Sequence, residues 1–178
     1  GGLCSGLEMV LRNHLPVHTY LYVDIDPKAR AVARHRGAQL QARYPGLLPA
    51  TALRSTFSAL PQDVWAINGQ HLRALSSQLQ RQWLVVGGWE CQDLSPAGHS
   101  KGLTGKRSST LGPLVNIMAT LQRLQQELPP AYIIENVAMQ YNHRSQHIRD
   151  VQYPIIRKSL GEPTCIDAVR FDSLAHRV

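Results

Sequence analysis

No apolar run in this chain is long enough to cross a bilayer, so no membrane-spanning helix is expected. Zinc spacing is missing too. The three cysteines, Cys4, Cys91 and Cys165, stand far apart, with no C-x-x-C and no Cys/His pair at ligand spacing, so no metal site is expected. A sparse, odd cysteine count points to a reducing compartment. It leaves open whether one thiol is reactive or all three are small buried side chains. The opening "GGLCSGLEMV" has no Met, no basic start and no cleavage site, and both ends are expected to be cut from something longer. Repeats and low-complexity segments are absent. Acids are in short supply: 12 Asp and Glu face 19 Lys and Arg, giving a net charge of +7 and a pI near 9.7. That balance favours a polyanionic partner, although a solvated basic surface gives the same number. Only "KGLTGKR" (101–107) and "NHRSQHIR" (142–149) concentrate basic groups in loop-like sequence.

The 178 residues, 43% of them apolar, are enough for one domain with a sizeable core. Apolar runs alternate with amphipathic stretches. "TYLYVDID" (19–26), "DVWAI" (63–67), "WLVVGG" (83–88), "AYIIENV" (131–137) and "TCIDAVRF" (164–171) read as strands. "LEMVLRNHL", "PKARAVARHRGAQLQARY", "GQHLRALSSQLQRQ", "LGPLVNIMATLQRLQQEL" and "RDVQYPIIRKSLGE" read as helices, with Pro27 in a first turn and Pro129 and Pro130 as a stop. Residues 44–61, punctuated by proline, read as a connector. This alternation predicts an α/β fold with a mostly parallel, doubly wound, Rossmann-like sheet covered on both faces. Ligands of such sheets bind beyond the carboxyl ends of the strands. Those ends here carry Asp24 and Asp26, Gly87 and Gly88 before Cys91, and Glu135 with Asn136.

Each of these groups has two readings. "GGLCSG" before a helix allows a ligand close to backbone amides, or is an ordinary glycine turn. Asp24 and Asp26 accept from ribose hydroxyls, or cap the following helix, and Asp26 fits the capping role better. Cys91 after a double glycine is an exposed rim thiol, or a packed cysteine in a turn; Glu90 beside it disfavours the thiolate. Glu135 and Asn136 meet a ring nitrogen, or cap the next helix.

Taken together, the motifs resemble a known family. "GGWECQDLSPAGHSKGLTGKRSSTL" is similar to the catalytic cysteine motif of the cytosine-5 DNA methyltransferases, G-G-x-P-C-Q-x-F-S-x-A-G followed by G-L-x-D-x-R. "ENV" is similar to that family's next catalytic motif, and "GGLCSGLEMVL" resembles its opening S-adenosylmethionine loop. "DAVRFDSLAHRV" resembles the closing arginine motif of the de novo enzymes. Departures from the pattern include Glu90 where proline is usual, Gly105 where aspartate is usual, Trp83 where an acid often precedes the strand and Trp65 where arginine is frequent.

The resemblance implies a partial S-adenosylmethionine-dependent methyltransferase domain over 1–178, truncated at both ends, without the target-recognition region. It implies that Cys91 attacks C6 of cytosine, that Glu135 contacts N3 and the exocyclic amine, that Asn136 holds the cysteine loop and that Arg177 supports the centre. Gly2, Leu3, Cys4, Ser5 and Gly6, then Asp24 and Ile25, Asp63 and Val64, and Gly88 would line S-adenosylmethionine, with S-adenosylhomocysteine as product. Ser95, Lys101, Lys106 and Arg107 would approach DNA or order the cysteine loop. The implied partner is DNA, with a homo- or hetero-oligomeric methyltransferase partner in view and no membrane. The implied place is a nucleus, or cytoplasm or nucleoid if the source is bacterial or viral. The alternatives are a methyltransferase-like regulatory partner with weakened catalysis and a tRNA cytosine-5 methyltransferase.

Overall fold

The computed structural model describes residues 2–78, 81–95, 101–105 and 108–165. Five helices and two strands organise them: α1 (Gly2–Arg12), α2 (Pro27–Arg43), α3 (Gly69–Gln78), β1 (Leu84–Gly88), α4 (Leu111–Leu124), β2 (Ala131–Glu135) and α5 (Tyr153–Leu160). The described residues up to Gly87, together with Asn116–Ile133, form one compact unit; Gly88–Val115 and the described residues after Ile133 form a second.

In the first unit, Leu7 and Leu11 of α1 pack with Leu40 of α2 and with Leu48 and Ala52 of the connector. Helix α2 follows its sequence pattern closely. Asp26 accepts from the Lys28 amide at 2.8 Å as N-cap, Pro27 opens the first turn, and the buried stripe is Ala33, Gly37 and Leu40. Glu8 of α1 pairs with Arg12 one turn on, at 2.7 Å, and with Arg36 of α2. The Arg36 hydrogen bond, with help from the charge of Arg12, holds the Glu8 carboxyl below its ordinary range, against partial burial that pushes it up. A depressed folded value means stability present above the unfolded value and lost as pH falls through the folded one. Replacing Glu8→Gln should therefore lower the melting temperature at neutral pH, and the gap between variant and parent should close on acidification; thermal melts across pH check this.

Three sequence expectations are corrected here. "TYLYVDID" is extended but joins no sheet. Its amides at Tyr20 and Tyr22 donate to Ala52 and Thr56 carbonyls, at 3.0 Å each, in a connector that turns as a 3-10 helix over Ala50–Leu53. A strand ladder needs a regular partner, and that segment offers none. "DVWAI" is not a strand: Asp63 accepts from the Trp65 amide at 2.9 Å and starts a 3-10 turn at Val64–Ala66, leaving Trp65 exposed. A local side-chain bond wins over a short apolar run. The glycines at the start are not a loop before a helix, because α1 begins at Gly2. Gly6 lies against β1, where a Cβ would meet Val86 Cγ2 at 2.9 Å; close packing accounts for that glycine.

The two strands pair start to start. The Ala131 amide donates to Trp83 O at 2.9 Å, and at the far end Gly88 lies against the Glu135 carbonyl, so the pair is parallel. The described fold is thus mixed α/β with a small parallel sheet. Helix α4 ends at Leu124, before the expected proline stop, where the Gln125 side chain donates to Arg81 O at 3.0 Å and Gln82 donates to Pro129 O at 3.2 Å. The expected strand "TCIDAVRF" lies outside the described residues from Ile166 onward.

The second unit has its own core of Trp89, Leu94, Leu111, Met139, Ile148 and Ile156. Ahead of α5 the chain makes a π-turn over Ile148–Gln152, closed by the Tyr153 amide on Ile148 O. Pro154 has no amide to donate back into this turn, and the wider turn accommodates that.

Candidate active site

At and beyond the parallel ends of β1 and β2 the second unit carries a thiol, a carboxylate and an amide. Beyond Gly88 the chain buries Trp89, exposes Glu90 and turns at Cys91, whose thiol is free and half-buried. The Cys91 carbonyl accepts from the amides of Leu94 at 2.9 Å and Ser95 at 2.7 Å, so the loop doubles back immediately after the sulfur. Glu135 is exposed at the end of β2. A Cβ on Gly88 would stand 3.1 Å from its Oε2, so the missing side chain lets β1 end against this carboxylate. Asn136 follows, its Nδ2 donating to Trp89 O at 2.8 Å and its Oδ1 accepting from the Val137 amide at 2.8 Å. One side chain thereby joins the end of β2 to the residue two before Cys91.

Several residues that sequence reading passed over hold the same loop. Asn142 is fully buried. It donates to Leu94 O at 2.7 Å and accepts from the amides of Arg144 at 3.0 Å and Ser145 at 3.1 Å. Arg149 closes the motif by donating to Asn142 O at 2.8 Å. The buried Gln152 of the π-turn accepts from the Leu103 amide at 2.8 Å. It fills the space beside Gly102, whose φ of 71° and lack of room both demand glycine. The buried Asp93 accepts from Ser108 N at 3.3 Å and occupies the space where a side chain on Gly105 would project. "NHRS" carried a readable signal, since Asn followed by Ser three residues later is turn chemistry; it was read only for its charge. Gln152 carried none. Replacing Asn142→Ala would leave the Leu94 carbonyl and two amides without their partner, a loss of about 1–3 kcal/mol, measurable by urea unfolding.

The remaining candidates fall in three places. In the first unit, Asp24 is partly buried; its Oδ1 accepts from Asp26 N at 2.8 Å and its Oδ2 from the Tyr22 hydroxyl at 3.4 Å. Ile25 beside it is 72% exposed, an apolar face held out to solvent. Asp63 and Val64 stand at the 3-10 turn, and Gly2, Leu3, Cys4, Ser5 and Gly6 form the first turns of α1. In the second unit, Lys101 is exposed and Ser95 half-buried. Lys106, Arg107 and Arg177 lie outside the described residues.

Comparison with known proteins bears on this arrangement. A family model described as C-5 cytosine-specific DNA methylase matches residues 64–157, more than half the chain and all of the Cys91, Glu135 and Asn136 cluster. The chain belongs to this family. It is also similar to the Type II methyltransferase M2.BsuMI of Bacillus subtilis (strain 168), 28% identical over 134 residues, which cover 75% of this chain and 26% of that protein. The chain thus spans about a quarter of that relative's length. No solved structure matches. The family match begins beyond Asp24 and the whole of α2, so it does not include the first half of the first unit.

Proposed function

We propose that the chain is the catalytic part of a DNA (cytosine-5) methyltransferase and that Cys91 is its nucleophile. The observation that carries this reading is the Asn136–Trp89 bond at 2.8 Å. It fastens a half-buried thiol loop to the strand end bearing Glu135, in a family that methylates cytosine at C5.

Carbon 5 of cytosine is a weak nucleophile. Addition of the Cys91 thiolate at C6 converts the ring to an enamine-like species able to take a methyl group at C5. Glu135, at the adjacent strand end, contacts N3 and the exocyclic amine and favours that addition. Loss of the C5 proton and elimination of the sulfur then restore the aromatic ring. The base must leave the duplex stack to reach the thiol, at a cost of a few kcal/mol that backbone contacts offset. Ser95, Lys101, Lys106 and Arg107 are assigned to those contacts, and Arg177 to support of the centre.

The implied methyl donor, S-adenosylmethionine, supplies an electrophilic methyl group when bound. The chemistry of the first unit fits its adenosine half: the partly buried Asp24 carboxylate has lone pairs for a ribose diol, exposed Ile25 offers an apolar face to a purine, and Asp63 is an exposed acceptor. Gly2–Gly6 at the start of α1 and Val64 and Gly88 belong to the same assignment. A doubly wound, Rossmann-like sheet and a single domain over 1–178 extend this reading on chain length, the alternation of strands and helices and the resemblance together; an oligomeric methyltransferase partner and a nuclear role in epigenetic regulation rest on the resemblance alone.

Trapping tests it. Incubation of the full-length protein with S-adenosylmethionine and duplex DNA containing 5-fluorocytosine should give a detergent-stable protein–DNA adduct on Cys91, because fluorine blocks the final loss from C5. Exposed Glu90 in the place of the usual proline favours a second reading, a regulatory partner with weakened catalysis. Cofactor binding without any adduct would select it, and adduct formation on tRNA in preference to DNA would redirect the substrate.

A further inference from the structure

Between Pro27 and Gln62 the chain carries six basic residues, Lys28, Arg30, Arg34, Arg36, Arg43 and Arg54, and no Asp or Glu. Some of that charge is spent inside the first unit. Arg36 pairs with Glu8, and Arg30 Nη1 donates to the carbonyls of Asp24 at 2.7 Å and Ile25 at 2.8 Å. Arg34 and Arg54 are not used in this way. Both line a cleft of about 440 Å³ between α2 and the connector, together with Thr56, Phe57 and Ser58. Small residues on the α2 side, Ala33 and Gly37, leave the room. Among the described residues neither guanidinium has a carboxylate within ion-pair distance.

The Arg34 guanidinium lies over the Phe57 ring, 4.7 Å from its centroid. A cation held on an aromatic face is fixed in place without using its N–H donors. The cleft therefore presents one pre-positioned guanidinium and a second beside it, with the exposed Ser58 hydroxyl in its wall, a donor set for a phosphate; the Thr56 hydroxyl is already committed to the Leu53 carbonyl at 2.9 Å. Its surroundings favour a long polyanion over a small one. Lys28 and Arg43 stand at the two ends of the same helix, and with no acid in the segment itself the Asp26 cap and Glu8 at Arg36 offset only part of the field that would draw in a charged strand.

We infer that this cleft seats a backbone phosphodiester of nucleic acid, as an anchoring contact separate from the cysteine site. Such a contact fixes position and carries no sequence information. It does not depend on Cys91 chemistry, and the residues that line it all lie outside the segment the family match covers.

The test is the salt dependence of binding to a random-sequence duplex by fluorescence anisotropy, comparing the chain with its Arg34→Gln/Arg54→Gln variant. Loss of two phosphate contacts should make the slope of log affinity against log salt shallower by roughly 1.8. Binding at low salt should weaken at least tenfold, and Arg34→Lys/Arg54→Lys should keep the slope. An unchanged slope in the Gln variant overturns the inference. Should that variant fail to fold, phenylglyoxal modification of the unsubstituted chain decides. Protection of Arg34 and Arg54 by duplex DNA, and not by inorganic phosphate at equal ionic strength, supports the assignment; no protection by DNA, or equal protection by phosphate, overturns it. The slope should persist in Cys91→Ser, so failure of the methyl-transfer reading and failure of this one are distinguishable.

Discussion

In the full-length protein, replacing Cys91→Ala should abolish both adduct formation on 5-fluorocytosine DNA and methyl transfer, a fall of at least about a thousandfold, the order seen when an enzyme loses its nucleophile. The reason is chemical. On the proposed mechanism, without addition at C6, C5 has too little electron density to take the methyl group, and alanine in the turn that Leu94 and Ser95 close on the residue-91 carbonyl offers no nucleophile. The fold should survive. The thiol is only half-buried, and the main-chain bonds of the turn do not involve it. Affinity for S-adenosylmethionine should change less than about twofold, because the residues assigned to it belong to other elements. Isotope transfer to DNA and calorimetric titration of the cofactor check the two halves. Appreciable turnover in the variant would refute the role given to the sulfur.

The second large effect concerns Gly105, and it runs against what the family pattern implies. Aspartate is usual at that position, so Gly105→Asp looks like a restoration. Gly105 is buried, and the space its side chain would take holds the Asp93 carboxylate, which itself accepts from Ser108 N. A second carboxylate there would both overpack the loop and set two anions side by side in a buried place. The expected result is a loss of about 2–4 kcal/mol in stability, with adduct formation failing in parallel. Exchanging the pair, Asp93→Gly with Gly105→Asp, should recover much of the loss, and a double-mutant cycle from urea melts measures the coupling. If Gly105→Asp alone proves neutral or stabilising, Asp93 has not taken over that space.

Sequence was a good guide wherever local chemistry decides. The cap at Asp26, the proline at 27 and the buried stripe of α2 are all written within one stretch of chain. So are the apolar runs of β1 and β2 and the polar residues that end them, and these placed Cys91, Glu135 and Asn136 at neighbouring strand ends. The failures share a cause. Whether "TYLYVDID" enters a sheet depends on the shape of the connector it meets, and whether "DVWAI" stays extended depends on one aspartate turning back on its own backbone. The early end of α4 goes with two contacts to the chain just before β1, the Gln125 side chain on the Arg81 carbonyl and the Gln82 side chain on the Pro129 carbonyl. The supports of the cysteine loop were hidden for a related reason. Asn142 reaches Leu94, Gln152 reaches Leu103 and Asp93 fills the room at Gly105, contacts made only when distant stretches come together. Periodicity and motif spacing do not register them.

The amides that fasten the cysteine loop land on main-chain atoms: the carbonyls of Trp89 and Leu94 and the N–H of Leu103. A backbone carbonyl is the same whatever side chain its neighbours carry. Those three bonds hold the loop from outside whatever side chain stands at position 90, while Asp93, Gly102 and Gly105 keep it from within. A proline placed at position 90 would leave all three of those bonds in place, so the surface this loop shows its substrate can be altered at that position without undoing the anchors beneath it.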